Sequence, residues 1–305
     1  MHWLLLSSQV PAPTRLCRAL VVLGAMLAAQ IAPADPTTVG TGRPSTPALT
    51  VTYPHPHSAD DKRGDYYLKL LELALAKSGV QYDLHPSNGE VPSTLVIDTF
   101  KTGGIDIFWG PTTVAMEAQL QPIRIPIDKG IFGWRLLLIN GRDRAKFAKI
   151  TTLAQLRAIP AGQGRARTDN AILRANGLQT VEGGHYDTLF GMLAADRFQY
   201  LPRSVGVIWK EQQTYADLGI EVESHLALHY TCPSYFFVAR NNKPLEQAVE
   251  QGLRAAFKDG GSFDKLFWQY NGPAVEHANL SNRVVFELNN PLLPETRPLV
   301  EDRGL

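Results

Sequence analysis

Two rhythms of hydrophobic and polar positions alternate along this chain. Ala48 to Tyr53 (ALTVTY) is a short β-prone run closed by Pro54. Tyr67, Leu70, Leu71, Ala74 and Leu75 then fall at i, i+3, i+4, i+7 and i+8. That spacing predicts a helix with one apolar face, stopped by Ser78-Gly79. Gln81 to Leu84 reads as a strand, Thr94 to Phe100 as a short helix, and Ile105 to Trp109 (IDIFW) as a buried strand. Strands alternating with helices point to an α/β fold whose parallel sheet is joined by crossover helices.

The pattern restarts at Trp134 to Asn140 (WRLLLIN), a strong strand signal. Thr152 caps a short helix, Leu153 to Ile159. The run Ala161 to Arg167 (AGQGRAR) reads as a loop into a helix that opens near Asp169 and closes at Asn176-Gly177. Tyr186, Leu189, Phe190, Leu193 and Ala194 mark another helix at 3.6-residue spacing. Tyr200-Leu201, Leu226 to Leu228 and Tyr235 to Ala239 (YFFVA) are further strands. Two helices follow, one carrying Leu245, Val249, Leu253 and Ala256, the other Phe263, Leu266, Phe267 and Tyr270. From Asn289 the periodicity fades.

The result is two α/β units. If the strands at 134–140 and 235–239 cross between them, residues 49–139 with 236–288 form a first lobe. Residues 140–235 form a second, and 289–305 a tail. Two crossing strands make a hinge, and a hinge between two lobes makes a cleft that closes.

The front of the chain adds a compartment. Arg15 and Arg18 precede an uncharged apolar run, Ala19 to Ala29, and Ala32-Pro33-Ala34 offers an A-x-A cleavage site. Residues 1–34 therefore read as a signal peptide, and the Pro-, Thr- and Gly-rich residues 35–48 as a flexible leader. The apolar run is far shorter than the roughly 20 residues that span a bilayer. Cys17 precedes it, so no lipid-attachment site is expected. Release into a Gram-negative periplasm follows.

Removing residues 1–34 takes away Arg15 and Arg18 but no acid, so the formal charge falls from +1 to −1. No basic excess suggests nucleic acid as a partner. Only Cys232 then remains, so no internal disulfide forms, and it reads as a buried small hydrophobe.

Candidate site residues cluster where strands end, since α/β sheets bind ligands beyond the carboxyl ends of their strands. Trp109, Gly110 and Thr112 follow the IDIFW strand: the indole can stack on a ligand and Thr112 can hydrogen-bond it, or both are ordinary core and turn. Gly164 and Arg165 lie in the glycine-rich run, where backbone N–H groups and a guanidinium suit an anion. The alternative is a plain connection with solvated arginines. The run lacks the G-K-[ST] of a phosphate loop and the spacing of G-x-G-x-x-G, so no nucleotide cofactor is expected. Arg135, inside an apolar strand, needs a partner: a ligand in the cleft or a structural acid. Arg203, at a strand end after Pro202, points to ligand contact. Tyr53, Tyr66, Tyr186 and Tyr235 either line the pocket or fill core. His55 and His57 precede Asp60 and Asp61, a set that can hold zinc but reads better as a solvated loop with His55 near the ligand. The arginines at the cleft edge suggest an anionic solute.

Several segments resemble family 3 of the periplasmic solute-binding proteins, with the type 2 periplasmic-binding-protein fold. They are YYLKLLELALAKSG (66–79), GGIDIFWGPTT (103–113), GWRLLLI (133–139), the stretch 151–205 and YFFVARNNKPLEQAVEQGLRAAF (235–257). The order of these landmarks from about 49 to 280 carries the resemblance, and the D-R-F-x-Y-x-P-R run at 196–203 marks a divergent branch. The resemblance implies capture of a small solute between two lobes by a monomer, for an ABC permease or a membrane receptor. In the amino-acid binders, an Arg beyond the 109–113 segment holds the α-carboxylate, and an acid of the second lobe holds the amine. Glu117, and Arg203 or Ser204, stand near those places, which argues against a standard α-amino acid. No G-x-S-x-G or H-E-x-x-H motif supports the rival reading, an exported hydrolase or lyase. A sensing role through a separate membrane partner is a further alternative.

Overall fold

A computed structural model of the protein describes residues 48–56, 62–92, 94–165 and 167–295. The signal segment, the leader before Ala48, and His57, Asp60 and Asp61 lie outside the described residues.

Among the described residues three sheets fall in two groups: a two-stranded and a three-stranded sheet side by side make the first, and one seven-stranded sheet the second. In the first, β1 (Leu49–His55) pairs in parallel with β2 (Tyr82–Glu90) through α1 (Asp65–Ser78). The apolar face of α1 buries Leu70, Leu71, Ala74 and Leu75 as its spacing predicts. The short α2 (Val96–Lys101) leads to β3 (Ile107–Pro111), two residues beyond the predicted strand. β3 stands beside β1 through one exchange in place of a regular ladder. The Thr52 amide donates to Asp106 Oδ2 and the Asp106 amide to the Thr52 carbonyl, each at 2.8 Å. α3 (Val114–Gln119) and β4 (Gln121–Ile123) end this first stretch. The sequence pattern missed both, because neither is long enough to show a period.

The seven-stranded sheet begins with β5 (Trp134–Asn140), whose bounds match the predicted strand. After α4 (Arg144–Phe147), α5 (Leu153–Arg157) starts at a capping box, with the Gln155 amide donating to Thr152 Oγ1 at 3.3 Å and the Thr152 amide to Gln155 Oε1 at 3.1 Å. The run expected to be a loop is corrected here. Ala161–Gly164 forms β6, flanked by β7 (Thr180–Gly183) and β8 (Tyr200–Ser204). Gly162 suits this strand because a Cβ there would lie 2.1 Å from the ring of Phe198. α6 (Asp169–Ala175), α7 (Thr188–Ala194) and α8 (Val205–Thr214) connect and follow these strands. β5 pairs with β8 on one edge, and with β9 (Ile220–Val222) and β10 (Leu226–His229) in turn on the other.

The chain then returns. β11 (Ser234–Val238) lies between β3 and β4, antiparallel to both, and completes the three-stranded sheet of the first group. α9 (Lys243–Lys258) packs on α1, and α10 (Ser262–Ala278) touches α1, α9 and α8 of the second lobe. β12 (Val284–Glu287) pairs in parallel with β10, on the seven-stranded sheet. Those four residues fall within the stretch that the sequence pattern places in the first lobe.

Three short runs pass between lobes: residues 124–133 into β5, 230–233 into β11, and 279–283 from α10 into β12. The first two are bonded to each other. Ser234 Oγ donates to buried Asp128 Oδ2 at 2.6 Å, and the Ile127 amide donates to the Ser234 carbonyl at 3.1 Å. Gly133 allows their closest approach, since a Cβ there would lie 2.2 Å from the Tyr230 carbonyl oxygen.

Candidate functional site

The carboxyl ends of β1 and β3 open beside the first turn of α1. Tyr53, His55, Asp65 and Trp109 there line a cavity of about 350 Å³, and Arg167, just past β6, lines it from the second lobe. Trp109 is held by aromatic neighbours. Its ring centroid lies 6.1 Å from Tyr67 at 17°, 6.3 Å from Tyr53 at 31°, and 6.4 Å from Phe236, which meets it edge-on at 90°. Offset and edge-to-face packing of this kind fixes the ring plane. His55 sits at the exposed rim, its amide donating to Ser87 Oγ at 3.0 Å. Tyr53 is pushed above the usual tyrosine range by partial burial and by the negative charge of Glu72.

Arg167 brings charge to this wall. Its Nε lies 3.7 Å from Asp169 Oδ2, and half of its side chain is exposed. Asp169 is already taken: Arg135 Nε and the Tyr230 hydroxyl both donate to its Oδ1 at 2.8 Å. A second cavity of about 720 Å³ adjoins the first through Arg63, which lines both. Tyr186, Lys210 and Tyr215 form part of its wall.

The predicted residues divide into three groups. Tyr53, His55 and Trp109 come together at the first cavity. Gly110, Thr112, Tyr66 and Tyr235 are buried with other partners. Gly110 pairs with Tyr235 across β3 and β11. Thr112 Oγ1 donates to Glu117 Oε1 at 2.7 Å, and Glu117 also accepts from Arg124. The Tyr66 hydroxyl donates to the carbonyl of Ile127.

The arginines form the third group. Arg135 is 3% exposed, donates to Asp169, and lies 5.0 Å from the Tyr230 ring centroid. Burial opposes its charge, but Asp169 outweighs it and holds the guanidinium pKa above its ordinary value. The same pairing holds the Asp169 carboxyl well below the usual carboxylate range, against the opposing effect of burial. Arg203 is 8% exposed and donates to Glu211 through Nε at 2.7 Å and through Nη2. The Tyr186 ring covers it, with the guanidinium carbon 5.4 Å from the centroid. Arg165, beside Gly164 at the end of β6, is 74% exposed along its side chain, with Glu182 at 3.6 Å. Thus Arg135 and Arg203 satisfy buried acids, which is the structural reading that the sequence left open for Arg135.

Arg63 and Asp65 carried no signal of periodicity or motif, and Tyr67 was read only as part of the apolar face of α1. Their place just after the first strand, at the sheet's carboxyl edge, is the rule that would have found them. Among the described residues, no group of three or more His, Cys, Asp or Glu side chains can hold a metal ion. No helix among them is long and apolar enough to cross a membrane.

No protein-family model matches the chain, and no curated relative does. Solved structures do. One is ytmK of Bacillus subtilis, described as a probable amino-acid ABC transporter extracellular-binding protein, at 12% identity over 74% of this chain and 99% of that one, TM-score 0.57. The chain has the periplasmic-binding-protein fold. A histidine kinase sensor domain with similarity to periplasmic binding proteins aligns at 13% identity over 75% of this chain and 98% of its own, TM-score 0.52. An arginine-specific periplasmic binding protein of Salmonella typhimurium aligns at 14% identity over 73% of this chain and all of its own, TM-score 0.51.

Proposed function

We propose that this protein is an exported, non-enzymatic solute-binding protein, a divergent relative of family 3, which captures a small polar solute bearing an anionic group. One observation carries the reading: Trp109 of the first lobe and Arg167 of the second line the same cavity. A flat indole offers a stacking face and a guanidinium a forked set of donors. Ligand bound by both would hold the lobes together. The anionic preference rests on Arg167, which is half exposed and shares the carboxylate of Asp169 with Arg135. It does not rest on Arg135 or Arg203, which have acids of their own.

The similarity to an extracellular-binding protein supports delivery to an ABC permease. The similarity to a kinase sensor domain supports a second reading, in which the bound form reports to a membrane receptor. In either role the protein is expected to act as a monomer with no cofactor. A thermal-shift screen of amino acids, dicarboxylates and other small organic anions tests the reading. Saturable stabilisation by an anionic compound, recovered unchanged, is the expected result. Stabilisation by cationic compounds alone overturns the anionic part, and turnover of a compound overturns the binder.

A further inference from the structure

Beyond the last strand the chain runs beside the end of β10 and the segment that leads into β11, and is bonded to them at two places. The Leu288 amide donates to the His229 carbonyl at 2.7 Å. Two residues on, Asn290 Nδ2 donates to the Thr231 carbonyl at 3.0 Å. After two more, the Leu292 carbonyl accepts from the amide of Val114, the first residue of α3, at 3.1 Å. That amide belongs to the first lobe.

The other end is fixed to the second lobe. Asn176, at the end of α6, makes a reciprocal pair with Asn289: its Nδ2 donates to the Asn289 carbonyl at 2.8 Å, and its Oδ1 accepts from the Asn289 amide at 2.9 Å. Asn290 Oδ1 accepts from the Leu292 amide at 3.0 Å, which fixes the turn between the two anchors. The Leu292 side chain packs on the core of the second lobe.

We propose that residues 288–292 are a strap that stiffens the hinge and restricts the rotation of one lobe against the other. Hinge closure works by changing φ and ψ at a few residues. The backbone is continuous between lobes at 124–133, at 230–233 and, from α10 to β12, at 279–283. The strap adds a further run, bonded to the end of β10 and to Thr231 and anchored on both lobes. Any rotation that changes the separation of Asn176 and Val114 must break one anchor or carry the strap with it. The proposal rests on reading the two lobes as parts that move. Its test uses no solute, so its failure and the failure of the solute-binding reading are separate results.

The test is backbone amide exchange on the full chain, on a chain ending at Leu288, and on Asn290→Ala. The substitution removes the bond to Thr231 and the turn bond to the Leu292 amide, and leaves the backbone anchors to Asn176 and Val114. The informative amides are Ile127 and Ile131, which bond to Ser234 and Asp128 within the hinge and not to the strap. With the strap gone they are expected to exchange about tenfold faster or more, because hinge opening becomes easier, and Asn290→Ala should give a smaller rise. Faster exchange at Val114 alone would reduce the strap to a local contact and overturn the proposal. So would unchanged exchange at all three amides. If the shortened chain does not fold, Asn290→Ala decides by the same criterion.

Discussion

Arg203 and Glu211 form a forked ion pair beneath Tyr186. Arg203 donates through both Nε and Nη2, and the Tyr186 hydroxyl donates to Glu211 Oε1 at 2.7 Å. Both charged side chains are almost fully buried. Removing one partner from such a pair leaves the other without its counter-charge, which costs about 3–5 kcal/mol. Arg203→Met is therefore expected to lower stability by about that amount in urea unfolding. Replacing both charges, as Arg203→Met with Glu211→Leu, is expected to recover most of the loss. A single variant as stable as the wild type would show that the pair contributes little.

Asp169 supplies a pH dependence. Burial would raise its carboxyl pKa, but Arg135, Arg167 and the Tyr230 hydroxyl depress it well below the ordinary value near 3.9. A depressed native pKa means that the unfolded chain binds the proton more readily. The stabilisation is then complete above pH of about 4 and falls away as the pH drops toward the native value. Thermal unfolding between pH 5 and pH 2 checks this. The Asp169→Asn variant is expected to show a shallower acid loss than the wild type, together with a lower melting temperature at pH 7.

Cys232 lies at the crossing between β10 and β11, and burial pushes its thiol up to about 12. A thiol reacts as the thiolate. At pH 8 the native protein is expected to leave Cys232 unmodified by a thiol-disulfide reagent, and denaturant should release it. Rapid native modification would mean that the crossing opens freely.

Arg165 and Arg167 make a paired comparison of site assignments. Arg165 is largely solvated, so Arg165→Ala is expected to change both stability and solute affinity little, by about 0.5 kcal/mol or less. Arg167→Ala is expected to weaken an anionic solute, with the loss reduced at high salt. Titration of each variant with the solute found by screening separates the two arginines.

Long periods were legible in the sequence, and short contacts were not. α1, β5 and α9 show because each carries an apolar face over two or more turns, or an unbroken buried run. β6 was hidden because Gly162 and Gly164 deprive it of β-branched residues, while Phe198 fills the space above Gly162. β12 was hidden because its partner, β10, is 58 residues away in register. At the site, Trp109, Tyr53 and His55 were legible from the rule that ligands meet the carboxyl ends of strands. The partners of Arg135 and Arg203 were not: Asp169 lies 34 residues from one and Glu211 only 8 from the other, and no spacing marks either as an ion pair.

The central claim is that solute is held between Trp109 and Arg167. Isothermal titration of the best screened solute into the wild type and into Trp109→Ala tests it most directly. A saturable one-to-one isotherm is expected for the wild type, with an affinity lower by about tenfold or more in the variant, each tenfold being about 1.4 kcal/mol. Equal affinity in the two proteins would contradict it.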